Sequence, residues 1–285
     1  MYYTKEYIRE LASLIRMPEE AYTVLEAHYE DLDPIEAEKI ARFWADPKLK
    51  RPEKMDSITD ISSREYGDIL CVLIYMAASG YAHETYQKLG IPDSIFYDTF
   101  NCLAEKMETC MKFKGYWGYT SVTWPMLHTG LEIFRIGRLS YEMRVAENDI
   151  VVNGKVLITK SVSYIYVHIS DNDKLIGCDE SIREARKFFA RFYPEYKNAI
   201  FYTQTWLLDT RLAEILPPES NIMQFQRLFH IMELRDNVPS VMNRIFGEYK
   251  ENPDDYVITS SLGRGVVKYL KEGKHLGMGI SVTRF

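Results

Sequence analysis

The sequence predicts an α+β protein: an all-helical N-terminal domain, then a mixed, mostly antiparallel sheet with flanking helices. Three observations carry this. The first 128 residues contain no strand-like alternation, and their apolar positions recur at spacings of three and four. From about Leu131 the chain turns to short runs of aromatic and branched residues, with Asn153-Gly154 between IVV and KVLIT as a strong hairpin signal. After that, strand, helix, strand, helix and strand patterns follow one another, which implies a mixed sheet. The expected division is 1–128 and 129–285.

In the first part, Asp33-Pro34-Ile35-Glu36 combines a cap, a proline at the first helical position and a returning carboxylate. Ser62-Ser63-Arg64-Glu65 repeats the capping-box pattern ahead of the apolar run 69–78. Pro92 is expected to open one helix on which Phe96, Phe100, Leu103, Met107 and Cys110 form a single buried face. Cys110 then reads as a core thiol, and buried thiols are inert.

In the second part, SYIYVHIS alternates: Tyr164, Tyr166, His168 and Ser170 point one way, Ile165, Val167 and Ile169 the other. A loop leads to a helix with Ser181 and Glu184 as a capping box and Ile182, Ala185, Phe189 and Phe192 along its apolar side. Arg183, Arg186, Lys187 and Arg191 read as its solvated side. AIFYTQTWLL is the next strand, LAEIL and NIMQFQRLF are helical, and HIMEL is a strand. Helices are expected around 239–246 and 262–272, the latter closed by Gly273. HLGMGISVTRF ends as a strand.

Composition limits the function classes. The 285 residues carry a net charge of −6, with 46% apolar and 27% charged residues, ordinary for a soluble globular chain. An acidic balance gives no general attraction to nucleic acid or to anionic membranes. The longest apolar run, Ile69 to Ala78, has ten residues, whereas a membrane-spanning helix needs about 20. The N-terminus lacks the apolar stretch of a signal peptide. Cys71, Cys102, Cys110 and Cys178 have no metal-ligand spacing. A cytoplasmic, reducing setting is the expectation.

Familiar catalytic motifs are absent: no P-loop, nucleophile elbow, HExxH or EF-hand loop, and no GxGxxG opening a helix. Lys274-His275-Leu276-Gly277-Met278-Gly279 has no helix behind it and reads as a closely packed strand. Ser260-Ser261-Leu262-Gly263-Arg264-Gly265 reads as a cap, with anion binding as the alternative. His168 shares a polar strand face with two tyrosines and a serine, suited to a cleft or to a half-exposed strand. Glu142 lies on the polar side of RLSYEM. If that strand neighbours SYIYVHIS, Glu142 and His168 could share a groove as a carboxylate and imidazole for proton transfer; a surface carboxylate is the alternative.

FRIGRLSYEM, VHIS, TQTWLL, LPPESNIMQF and TSSLGRGVVKYLKEG, in that order, resemble a group of bacterial acyltransferase-domain proteins. These join a helical N-terminal domain to a C-terminal domain similar to the GNAT superfamily of acyl-coenzyme A-dependent N-acyltransferases. The resemblance implies transfer of an acetyl or other acyl group from acyl-CoA, as co-substrate, to a small-molecule amine by direct attack. It implies that SYIYVHIS is the fourth strand of the GNAT fold, splayed from AIFYTQTWLL, with the pantetheine arm between them. Val167 and Ile169 would offer backbone contacts, and the helix from about Ser181 would hold the pyrophosphate. Glu142 or His168 would take the amine's proton.

GNAT enzymes carry a glycine-containing Arg/Gln-x-x-Gly-x-Gly/Ala run at that helix start. The corresponding loop here, 171–180, has one glycine and four carboxylates; either it adopts a different geometry, or Lys174 and Arg183 compensate, or coenzyme A is not bound. Cys178 sits in it either as a buried residue or as a thiol near a helix start. The competing reading is a catalytically degenerate GNAT-like domain acting as a ligand-sensing or protein-interaction module.

Overall fold

The structure, a computed structural model, describes residues 1–49, 51–170 and 174–284. It divides into two compact units. The first runs from Met1 to Glu142 and takes in Ser170. The second holds Met143–Ile169 and the described residues from Lys174 onward.

The first unit contains α1 (Lys5–Leu14), α2 (Glu19–Ala27), α3 (Pro34–Ala45), α4 (Arg51–Ser62), α5 (Gly67–Leu89), α6 (Asp93–Phe100), α7 (Cys102–Lys114) and the short α8 (Met126–Thr129). Asp33 caps α3 as expected, its carboxylate accepting from the N–H groups of Ile35 and Glu36 at 3.0 Å each. Every residue from Ile69 to Ala78 of α5 is at most 3% exposed. A helix apolar on all sides must be enclosed, and α1 to α4, α6 and α8 pack against it. Trp44 of α3 is fully buried, its ring 4.5 Å from that of Tyr75 and its indole N–H donating to Ser57 Oγ at 3.0 Å.

Two expectations for this unit need correction. Ser62 and Ser63 do not cap α5; their hydroxyls donate backward to the Thr59 and Asp60 carbonyls at the end of α4. The helix from Pro92 is two helices, α6 and α7, meeting at Asn101. The Asn101 side-chain amide donates to the Ile15 carbonyl at 2.6 Å, a tertiary bond that fixes the junction. The predicted buried face survives, since Phe96, Phe100, Leu103, Met107 and Cys110 are each at most 1% exposed.

Glu38 of α3 ties down the start of the chain. Its Oε2 accepts from the backbone N–H of Tyr2 at 2.8 Å and of Tyr3 at 2.7 Å, and its Oε1 accepts from the Tyr81 hydroxyl. Burial works to raise this carboxyl, but the Tyr81 hydroxyl and the two N–H donors outweigh it and hold it below its ordinary value. A carboxyl depressed in the folded state contributes stability above its unfolded value, lost as pH falls through the folded one. Glu38→Ala is therefore expected to cost about 2–3 kcal/mol at neutral pH, on the scale of hydrogen bonds to a charged group. The melting gap between wild type and variant should narrow below about pH 4.5. A gap that is constant from pH 7 to pH 3 would contradict this account of Glu38.

The first unit ends in β1 (Ile133–Ile136) and the start of β2 (Leu139–Val145), antiparallel about the two-residue loop Gly137-Arg138. Their register sets Glu142 opposite Ile133.

The second unit contains β3 (Ile150–Val152), β4 (Lys155–Ile158), β5 (Ser163–Ile169), α9 (Cys178–Phe192), β6 (Ile200–Thr205), α10 (Asn221–Gln226), β7 (Phe229–Asp236), α11 (Val238–Phe246), α12 (Ser261–Lys271) and β8 (Gly277–Thr283). The main sheet runs β2-β5-β6-β8-β7, with β5 and β6 parallel and β8 antiparallel to both its neighbours. The parallel pair is joined through α9, the crossover such a pair needs. Asn153 and Gly154 form the β3–β4 turn with φ of 48° and 73°. Asn153 also anchors this hairpin to β7: its backbone N–H donates to Glu233 Oε2 at 2.6 Å and its side-chain amide to the Met232 carbonyl at 2.5 Å, where the β7 register shifts.

Three expectations change here. β6 ends at Thr205, whose hydroxyl accepts from the Leu207 N–H and starts a single 3-10 turn over Trp206–Leu208. Thr210–Glu214, containing most of LAEIL, is also a 3-10 turn. Ser181 and Glu184 do not cap α9, which starts three residues earlier. Gly177, with a left-handed φ of 75°, takes the cap position, and the Ser181 N–H already donates to the Gly177 carbonyl at 3.0 Å. The reading of residues 260–265 as a cap holds, with Ser260 Oγ accepting from the Gly263 N–H at 3.0 Å. The close-packing reading of residues 274–279 holds too: a Cβ on Gly277 would lie 2.2 Å from the Arg235 carbonyl oxygen.

Asp209, fully buried, fixes the entry to β8. Its carboxylate accepts from the Gly277 N–H at 2.6 Å, from Arg211 Nη2 at 2.8 Å and from Arg211 Nε at 2.9 Å.

Candidate acyl-CoA site

β5 and β6 pair over only three positions, Tyr164 with Ile200, Ile165 with Phe201 and Tyr166 with Tyr202. Beyond Tyr202, β6 continues its ladder with β8, from Tyr202 opposite Val282 to Thr205 opposite Gly279. Val167, His168 and Ile169 of β5 therefore extend past the last β6 partner. Side chains bridge the opening. The Thr203 hydroxyl donates to the Val167 carbonyl at 2.8 Å. The Tyr166 hydroxyl donates to the Gln204 carbonyl at 3.2 Å and accepts from the Gln204 N–H at 3.3 Å.

Val167 is fully buried, while His168 and Ile169 are partly exposed. The His168 ring lies 4.7 Å from the Tyr166 ring, and Arg144 stacks over the other side group of this face, 4.4 Å from the Tyr166 ring centre. The imidazole is thus half-buried beside the end of a short parallel ladder.

α9 follows in the chain. Its first turn presents the N–H groups of residues Cys178, Asp179 and Glu180, and a helix start favours anions through its unpaired amides and dipole. Lys174 is exposed just before it. Arg183 donates to Asp179 at 2.8 Å, and this bond holds the Asp179 carboxyl below its ordinary value. The cation expected to answer a phosphate is thus partly answered within the helix. Ser181 is buried inside the first turn instead of capping it. Arg186, expected on the solvated side, instead donates to Thr283 Oγ1 at 3.1 Å and stacks on Phe201. Asp171 and Asp173, with Asn172 between them, lie outside the described residues.

Glu142 belongs to the first unit and His168 to the second. Glu142 is fully buried, not a surface carboxylate, and Arg51 Nη2 lies 3.4 Å from its Oε1. Cys178 is buried at the first position of α9. None of the four cysteines forms a disulfide, and burial pushes the Cys71 thiol up to about 12. No His, Cys, Asp and Glu cluster among the described residues could hold a metal, and no described helix is long and apolar enough to cross a membrane.

The sequence reading missed Tyr166, Thr203 and Gln204 as the bridging group. A signal existed, because Thr203 and Gln204 are polar positions inside an otherwise apolar strand run, but their partners depend on the β5–β6 register.

The mixed sheet with its short parallel pair and crossover helix is a GNAT-like fold. Residues 6–131 match the family described as the N-acyltransferase N-terminal domain, and residues 133–282 the family described as the GNAT-like C-terminal domain. The chain belongs to the GNAT-like C-terminal domain family, with an N-acyltransferase N-terminal domain before it. No curated protein matches the sequence. Among solved structures, it is similar to an acyltransferase mutant in complex with octanoyl-CoA, with a TM-score of 0.76 and 21% identity over 98% of this chain and 87% of that one. It is also similar to an acyltransferase in complex with decanoyl-CoA and teicoplanin, with a TM-score of 0.74 and 21% identity over 96% and 86% of the two chains. At such identity the likeness establishes a common fold.

Proposed function

We propose that this protein is an acyl-CoA-dependent N-acyltransferase that passes an acyl group to the amine of a small molecule. The observation that carries the reading is the early end of the β5–β6 ladder, which leaves the Val167–Ile169 main chain extended past its parallel partner. In this reading the pantetheine arm lies along Val167 and Ile169. The pyrophosphate lies at the start of α9, with Lys174, Arg183 and the first-turn residues up to Ser181 around it. The octanoyl and decanoyl chains bound by the similar acyltransferases make medium-length acyl-CoA the first substrate to test.

The chemistry is a direct displacement. The amine nitrogen attacks the thioester carbonyl carbon, the C–S bond breaks, and coenzyme A leaves as its thiol. An alkylamine has a pKa of about 10.4 and must lose a proton to react. We assign the proton-accepting role to His168, half-buried on β5. Glu142, a buried carboxylate, is the alternative proton acceptor.

The acidic first turn of α9, with Asp179 and Glu180, favours a second reading: a degenerate GNAT-like domain that binds a ligand or a protein without turnover. Incubation with decanoyl-CoA and a panel of primary amines separates the two. Amine-dependent release of coenzyme A thiol supports the enzyme. Binding of decanoyl-CoA without release by any amine supports the degenerate domain.

A further inference from the structure

Outside the β5–β6 opening, Arg51 joins Glu142 to a second carboxylate, Glu132. Arg51, at the start of α4, donates through Nε to Glu132 Oε2 at 3.1 Å and through Nη2 to the same oxygen. The same Nη2 lies 3.4 Å from Glu142 Oε1. Glu142 pairs with Ile133, and Glu132 is the residue just before β1; the two carboxylates meet at one guanidinium. Lys54, one turn further along α4, is only 3% exposed. Burial lowers its ammonium pKa against the attraction of Glu132 and of Asp46, just beyond α3. Burial likewise opposes the charge on Arg51, and Glu132 and Glu142 more than restore it.

A fully buried carboxylate without a cation takes up a proton instead of bearing charge. We propose that Arg51, oriented by Glu132, is a positioning residue that fixes the Glu142 carboxylate and keeps it anionic. The start of α4 thereby sets the charge of a group on β2. This rests on the reading of Glu142 as a candidate proton acceptor.

The test is the ionisation of Glu142 itself, read by infrared and carbon-13 spectroscopy of glutamate-labelled full-length protein, with Glu142→Gln identifying the signal. In wild type at about pH 7 Glu142 should be ionised; a protonated Glu142 there overturns the proposal. In Arg51→Gln its midpoint should rise by about 1–3 units, the range for a carboxylate next to a guanidinium, and Arg51→Lys should restore most of the difference. An unchanged midpoint in a folded Arg51→Gln protein also overturns it. If Arg51→Gln does not fold, the wild-type measurement alone decides. The catalytic reading is tested apart from this: Glu142→Gln with a wild-type pH profile for decanoyl transfer removes Glu142 from the reaction, whatever Arg51 does to its charge.

Discussion

Replacing His168 by alanine is expected to lower the rate of acyl transfer by about 10²–10⁴, the usual contribution of a positioned general base. Binding of acyl-CoA should change little, because the contacts assigned to the pantetheine arm come from the main chain of Val167 and Ile169. The loss should fall on kcat, since proton removal belongs to the transition state and not to substrate binding. His168 is partly exposed, so the substitution removes little core packing. Steady-state kinetics with decanoyl-CoA and a reactive amine, beside a melting curve, check the expectation. Full activity in His168→Ala would remove His168 from the mechanism and leave Glu142 as the remaining candidate.

The largest effect on stability is expected at Asp209. Its carboxylate is fully buried and serves three groups: the Gly277 N–H, the Arg211 backbone N–H and the Arg211 guanidinium. Alanine would leave the Gly277 donor unpaired and deprive Arg211 of its nearest anion, although Asp236 remains at 3.0 Å. Removing one partner of a buried ion pair costs about 3–5 kcal/mol; Arg211 is partly exposed and keeps Asp236, which puts Asp209→Ala at the low end, about 3 kcal/mol. Asp209→Asn should recover only part of the loss, since the amide accepts from Gly277 but cannot balance Arg211. Urea unfolding followed by far-ultraviolet circular dichroism measures both. A cost below 1 kcal/mol for Asp209→Ala would mean that β8 is positioned by packing alone.

How much of this was legible in the sequence depended on whether the deciding interaction was local. Asp33-Pro34 and Asn153-Gly154 were readable because a cap and a two-residue turn act within three or four residues. The alternation of SYIYVHIS was readable for the same reason. The start of α9 was not, because Ser181 with Glu184 mimics a capping box while the left-handed Gly177 sets the boundary upstream. The split between α6 and α7 was hidden too, since it is fixed by Asn101 bonding to Ile15, 86 residues away.

The candidate site divides in the same way. Period-two alternation placed Val167, His168 and Ile169 on β5 and gave His168 its polar face. It could not reveal that pairing with β6 stops at Tyr166, because that is a property of register between strands. Glu142 was picked out as a polar strand position, but its burial beside Arg51 joins residues 91 apart. Patterns within one segment carry no trace of such a contact.

The central claim, an acyl-CoA site at the β5–β6 opening and the start of α9, is tested most directly by thermal unfolding of the whole chain with decanoyl-CoA. A ligand at about 100 times its dissociation constant should stabilise the protein by about 2.7 kcal/mol. The account predicts a saturable rise in melting temperature with decanoyl-CoA, reduced when Lys174 and Arg183 are both changed to alanine. No rise at millimolar decanoyl-CoA, octanoyl-CoA or acetyl-CoA would contradict it.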